Sequence, residues 1–392
     1  MKKEKIIVNI CYVSEEFPLE TPKGGIATYQ YEIAKGMVKA GHRVNVICKT
    51  TSTNDRYEFF EGIRLHYISY DNNLSPMDAN LCYRKKVCRK MKELEDSIDI
   101  FEVADWGAEA HFYLDKRKAP VVIKLHTPYF VWKKYNEVTD SEVHKIVENH
   151  EIYDIHNCDR VYACSKSIKN VVSTALNISE TKINVVYNPI RILKEPKNRY
   201  TPNSKILFAG SLEQRKGVIN LAEELNVLFS ENDDATVIFA GKDTNRNKYN
   251  QSTESTIKDI IKKKYHNRIE FKGQLDHSEL FELFSKVNIA IFPSLYENFP
   301  YVLLEAMNCK CLSIGSVHGG MPEVIKDGES GFLCTPDKKG EIYKVLKKCL
   351  KLSDDARKII VENSAKKLLQ YENSRIVNET LNIYYDVIKG WN

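Results

Sequence analysis

The stretch Pro293-Ser294-Leu295-Tyr296-Glu297-Asn298-Phe299-Pro300-Tyr301-Val302-Leu303-Leu304-Glu305-Ala306-Met307 decides how this chain is read. It follows Ile289–Phe292, a short apolar run of the kind that forms a buried strand. The loop Ser294–Phe299 is thereby placed at the carboxyl edge of a sheet, where doubly wound proteins bind ligands. Pro300 suits the first turn of a helix, where its missing N–H costs nothing. Glu297 then lies in the loop and Glu305 in the second or third turn of the helix, both able to face one crevice. Backbone N–H groups left unpaired at the helix start suit a diphosphate, although Pro300 contributes none.

Outward from this segment, short β-branched runs alternate with amphipathic stretches along the whole chain, the pattern of parallel sheets covered by helices. The first unit is a strand Ile6–Val13, a loop through Gly24-Gly25 and a helix Ile26–Ala40, stopped by Gly41 and followed by a strand His42–Cys48. Later strands are predicted at Ile98–Val103, Val121–Leu125, Val161–Cys164 and Ile183–Val186. The helix Ser141–His156 is predicted to turn Val143, Ile146, Val147 and Ile152 inward. Tyr57–Ser69 reads as a hairpin inserted in the first domain. A polar stretch with prolines, Ile190–Ser204, reads as a linker. The alternation then restarts with strands at Lys205–Ala209, Thr236–Ala240, Arg268–Phe271, Ile289–Phe292 and Cys311–Ile314, and from Lys338 onward the chain reads as helical. The expected domains are 1–190 and 204–370, with 371–392 crossing back onto the first.

Composition narrows the class. A chain of 392 residues with 43% hydrophobic residues has enough apolar side chains for two cores. A net charge of +5 is too small for a nucleic-acid-binding signature. The ten cysteines are scattered without paired zinc-ribbon spacing and read as reduced, packed thiols. Met1-Lys2-Lys3-Glu4-Lys5 leads into an apolar run too short for a signal or membrane segment, so a cytoplasmic location is expected.

Three further clusters fall in a fixed order around the opening segment. Pro22-Lys23-Gly24-Gly25-Ile26-Ala27 lies between the first strand and helix, where paired glycines let backbone approach a phosphate. This is not the G-x-G-x-x-G dinucleotide fingerprint. Phe208-Ala209-Gly210-Ser211-Leu212-Glu213-Gln214-Arg215-Lys216-Gly217 forms the first strand–helix turn of the second domain, and its cations stand against a helix dipole that disfavours them. His318-Gly319-Gly320-Met321-Pro322-Glu323 is the third.

Together these segments resemble the motifs of glycosyltransferase family 4, whose members are retaining enzymes of the GT-B fold. The resemblance spans nearly the whole chain. It implies an α/β architecture of two Rossmann-like domains with parallel sheets facing an interdomain cleft, the second domain holding a nucleotide diphosphate sugar and the first an acceptor. Transfer of a hexose or N-acetylhexosamine from a UDP- or GDP-linked donor to a sugar, lipid-linked or other acceptor is implied, in cell-surface polysaccharide or glycoconjugate synthesis. No metal or other cofactor is implied. Lys216 matches the family's phosphate-binding lysine. Where the family pattern has an arginine after the first glycine this chain has Ser211, and Arg215 is the substitute. Gly24, Gly25, Asn298, Phe299, Pro300, Gly319 and Gly320 are implied donor contacts, Glu305 a ribose ligand, and Glu297 with His126 the catalytic pair near the transferred sugar. Asp105, Trp106 and Tyr129 are candidate acceptor contacts; an N-cap at Asp105 and loop packing of the aromatic residues are the plainer alternatives.

The basic run Arg84-Lys85-Lys86 with Arg89, Lys90 and Lys92 reads as a solvated helix face or as a peripheral contact with the inner face of an anionic membrane. Two other functions remain open at this stage: a non-hydrolysing nucleotide-sugar epimerase, and a non-catalytic GT-B partner subunit that binds a glycosylated protein.

Overall fold

The computed structural model describes residues 6–20, 24–136, 141–193 and 204–391. Pro22, Lys23 and most of the stretch read as a linker, including Pro196 and Pro202, lie outside the described residues. The chain divides into two compact units: 1–132 with 139–191 and 371–392, and 192–370 with 133–138.

The first unit is built on eight strands: β1 (Asn9–Val13), β2 (Arg43–Thr50), β3 (Arg56–Phe60), β4 (Ile63–Ser69), β5 (Ile100–Ala104), β6 (Val121–Leu125), β7 (Arg160–Ala163) and β8 (Ile183–Val185). Their order is β3-β4-β2-β1-β5-β6-β7-β8, every pairing parallel except β3 with β4. Because β4 pairs in parallel with β2 over seven residues, Ile63 to Ser69, the hairpin 57–69 widens the sheet and is not an insertion. Ile6 and Ile7 precede the strand and are exposed.

The second unit has β9 (Lys205–Ala209), β10 (Thr236–Ala240), β11 (Ile269–Gly273), β12 (Ile289–Ile291), β13 (Leu312–Ser316) and β14 (Phe332–Cys334). All are parallel, in the order β11-β10-β9-β12-β13-β14. In each sheet the first strand is flanked on one side by the next in sequence and on the other by a strand that returns later. That reversal opens a crevice at the carboxyl ends of the strands.

Fully buried apolar residues of β9, β10, β12 and β13 pack with helix Val218–Glu231 to form the second core. In the first unit, helix Pro76–Leu94 covers Cys11, Val13, Ile47, Ile68, Phe101 and Val103 through Tyr83, Val87 and Met91. The opposite face holds a polar knot. Glu102 of β5, fully buried, accepts hydrogen bonds from Tyr29 (2.8 Å), Tyr162 and Tyr384. Lys124 of β6 donates to the Val186 carbonyl at 2.5 Å and lies over the rings of Tyr29 and Tyr162. Tyr384 belongs to the last helix, Asn373–Trp391, so this network fastens the chain's end to the first sheet.

Two helix faces differ from expectation. Helix Glu142–Asn157, capped by Ser141, buries Glu151, Asp154 and Ile155, whereas Ile146 is exposed. Its inward face therefore carries carboxylates, which a search for apolar periodicity passes over. On helix Pro76–Leu94, Arg84 is 1% exposed, with Nη1 2.7 Å from His150 Nδ1. Arg84 thus leaves the basic surface, and only Lys85, Arg89 and Lys92 of the run are exposed, Lys86 and Lys90 being half-buried.

Candidate functional site

The turn after β9 and the loop after β12 meet at the carboxyl edge of the second sheet. The Arg215 carbonyl accepts the Leu295 N–H at 2.8 Å. Gly217 adopts φ +69, and a Cβ there would stand 1.7 Å from the Pro293 carbonyl oxygen. Only glycine permits both the conformation and the contact. Gly319, at φ +69, fits as tightly, since its Cβ would stand 2.2 Å from the Glu297 carbonyl oxygen.

Glu297 is the focus of this arrangement. Its Oε2 is ion-paired with Lys216 and lies 3.4 Å from Arg215 Nη1. Arg215 also donates to the Tyr296 carbonyl at 3.1 Å and pairs with Glu213 at 2.8 Å. Burial pushes the Glu297 carboxyl up, but the Lys216 and Arg215 cations outweigh it and hold the group below its ordinary value. Glu213, buried and two residues before Arg215, also reaches Arg246 at 3.4 Å. Sequence reading missed Glu213, although an acid two residues before an expected phosphate-binding arginine is a usable signal.

Asn298, Phe299 and Pro300 continue the loop, all buried, with Pro300 as N-cap of helix Tyr301–Asn308. Glu305 sits on that helix with Oε1 3.0 Å from His277 Nε2. The Gly319-Gly320 pair does not offer two free donors: the Gly320 N–H is taken by the Glu297 carbonyl at 2.7 Å. Beside Glu297 opens a cavity of about 430 Å³ lined by Leu295, Tyr296, His318, Gly319, Asp337 and Tyr135. His318 Nε2 lies 2.9 Å from Asp337 Oδ1, and the ring of Tyr135 stacks on Tyr296 at 4.4 Å.

In the first unit the candidates occupy the carboxyl ends of β1, β5 and β6. Gly24 caps helix Gly25–Lys39, but the space there is filled from within. Glu16 Oε2 accepts the Ala27 N–H at 3.3 Å and lies 2.7 Å from where a Gly24 Cβ would be. A Cβ at Gly24 would therefore have to displace the tip of the Glu16 side chain. Burial, and then the neighbouring Glu15, push the Glu16 carboxyl up to about 7.

His126 directly follows β6 and is 5% exposed; burial, and then the Lys124 ammonium, hold its pKa well below the ordinary value, so the ring is neutral at physiological pH. Asp105 is no helix cap. Its Oδ2 accepts the His126 N–H at 2.8 Å and its Oδ1 the Thr127 N–H at 3.4 Å. Trp106 and Tyr129 face each other with ring centres 6.0 Å apart. Among the described residues, no three His, Cys, Asp or Glu side chains cluster as a metal ion requires, and no helix is long and apolar enough to cross a membrane.

Residues 23–192 match the family model described as Glycosyltransferase Family 4, and residues 190–367 match Glycosyl transferases group 1. The glycogen synthase of Mycobacterium tuberculosis is 25% identical over 362 residues, covering 84% of this chain and 83% of its own length. Among solved structures, a sucrose-phosphate synthase from Thermosynechococcus elongatus aligns at TM-score 0.79 and 16% identity, covering 98% of this chain and all of its own. HepE of Anabaena in complex with UDP and glucose aligns at TM-score 0.71 and 16% identity over 97% of this chain and 99% of its own. At such identities the structural likeness establishes the fold.

Proposed function

The chain belongs to the GT-B glycosyltransferases that join a family 4 domain to a group 1 domain, and from that membership we propose a retaining, metal-independent hexosyl- or N-acetylhexosaminyltransferase using a UDP- or GDP-linked sugar. The acceptor is a sugar, a lipid-linked sugar or a related glycoconjugate of a cell-surface pathway on the cytoplasmic side. Lys85, Arg89 and Lys92 are the residues through which the first domain would touch an anionic membrane.

The observation that carries the reading is the convergence of Arg215 and Lys216 on the Glu297 carboxylate at the carboxyl edge of the second sheet. A departing nucleoside diphosphate gains negative charge, and two cations fixed in a largely buried place stabilise it where a divalent metal would otherwise serve. Glu297 occupies both cations as an internal anion. When a diphosphate takes them over, its carboxylate is released toward the sugar, where it binds hydroxyls and stabilises oxocarbenium-like charge. Glu305, one helical stretch further, is assigned to the ribose hydroxyls, and the cavity bordered by Tyr296 and Gly319 has room for a pyranose. Neutral His126 is assigned a hydrogen-bonding role toward sugar hydroxyls. That HepE was solved with UDP and glucose supports a nucleotide-sugar donor.

The test is transfer itself. The protein is incubated with UDP-, GDP- and ADP-sugars and candidate acceptors in EDTA, with nucleoside diphosphate release followed and the product's anomeric proton read by NMR. Transfer that survives the chelator and keeps the donor's anomeric configuration is expected. An inverted product, or activity abolished by EDTA and restored by a divalent cation, contradicts the proposal.

A further inference from the structure

Every first-domain candidate except the Gly24-Gly25 turn lies on two loops, 105–108 after β5 and 126–129 after β6. One side chain joins them. Glu151, on helix Glu142–Asn157 and 2% exposed, accepts the Gly107 N–H through Oε1 at 2.8 Å and the Tyr129 N–H through Oε2 at 2.7 Å. Asp105 makes a second tie through the His126 and Thr127 N–H groups.

We propose that Glu151 is a positioning residue for sugar transfer, fixing the Trp106 loop to the Tyr129 loop so that both present one surface to a carbohydrate acceptor; the inference rests on the transferase reading above. Three observations support it. First, the bridge needs two accepting oxygens at one point, which a carboxylate supplies and an amide does not. Second, the loop it holds is not at rest. Gly107 has φ +88 and Ala108 φ +51, the latter a left-handed conformation that a non-glycine residue keeps only when its surroundings hold it there. Third, Glu151 is a poor choice for stability alone. Burial, with Asp105 and Asp154 adding like charge, pushes its carboxyl well above the ordinary range. What Glu151 secures is the spacing of two loops whose rings, Trp106 and Tyr129, lie 6.0 Å apart, with Trp132 5.8 Å from the first and 5.7 Å from the second.

Asp154, one turn along the same helix and equally buried, is the control. It pairs with His111 of helix His111–Leu114 at 3.0 Å and not with the Gly107 or Tyr129 N–H. Glu151→Gln, Glu151→Asp (charge kept, reach shortened) and Asp154→Asn are compared with the parent. The readouts are transfer kinetics, UDP and GDP affinity by calorimetry, and hydrogen exchange of peptides covering 105–109 and 126–131. Both Glu151 variants should keep nucleotide affinity within twofold, lose at least tenfold in kcat/KM for the acceptor, and exchange faster in both peptides. Asp154→Asn should change neither the kinetics nor those peptides. Parental kcat/KM or parental exchange in whichever Glu151 variant folds would overturn the proposal, as would an equal loss in Asp154→Asn. If the parent transfers no sugar from any donor, the proposed function falls, and the exchange comparison still decides whether Glu151 holds the loops.

Discussion

At the scale of single residues, the glycines of the candidate site do different work, and the difference is measurable. A methyl at Gly319 meets backbone, the Glu297 carbonyl, with a left-handed φ to sustain as well. A methyl at Gly24 meets only the tip of the flexible Glu16 side chain. Gly319→Ala should therefore cost several kcal/mol through overpacking and backbone strain together, roughly 2–5. Gly24→Ala should cost about 1 kcal/mol, the hydrogen bond from Ala27 that Glu16 gives up, and that cost should vanish in a Glu16→Ala background. Urea unfolding of the parent, Gly319→Ala, Gly24→Ala, Glu16→Ala and the Gly24→Ala/Glu16→Ala double variant checks this; a Gly24→Ala penalty that persists without Glu16 would show that Glu16 is not what the glycine accommodates. Lys216 and Glu297 were legible in the sequence because each sits in a run of recognisable order beside a strand. Glu16 and Glu151 were not, because their partners are backbone N–H groups at distant positions and a backbone amide leaves no mark on sequence.

The strands were readable as elements, since β1, β9 and β10 each carry four consecutive apolar residues. The face of helix Glu142–Asn157 was not. Apolar periodicity pointed to Ile146 and Val147, yet the helix turns Glu151 and Asp154 inward because site loops and His111 offer them partners there. The last helix illustrates the same effect, held to the first sheet by a tyrosine bonded to a buried carboxylate. Tyr384→Phe keeps the ring and deletes one hydrogen bond to a group whose other donors remain. Removing one donor from a buried carboxyl group should lower stability by about 1–3 kcal/mol. Circular dichroism during urea unfolding reads it, and an unchanged midpoint would mean that the Glu102 knot does not fasten this helix.

On the scale of the whole molecule, one topology is used twice. Each unit carries its first strand at the point where strand order reverses, and the candidate groups collect at the strand ends on either side of that point. Alternating runs and a restart near residue 204 made that architecture legible; the ties that set the loops did not show, because they join residues by tertiary contact alone. In the proposed function Lys216, with Arg215, gives the second unit its hold on a nucleotide diphosphate. Thermal unfolding of the parent and of Lys216→Met with UDP, GDP and ADP tests it most directly, since a ligand at 100 times its Kd stabilises by about 2.7 kcal/mol. At least one nucleotide should raise the parent's midpoint, and at the same concentration the shift should be lost in Lys216→Met. A full shift in the variant, or none in the parent with any of the three, would contradict the account.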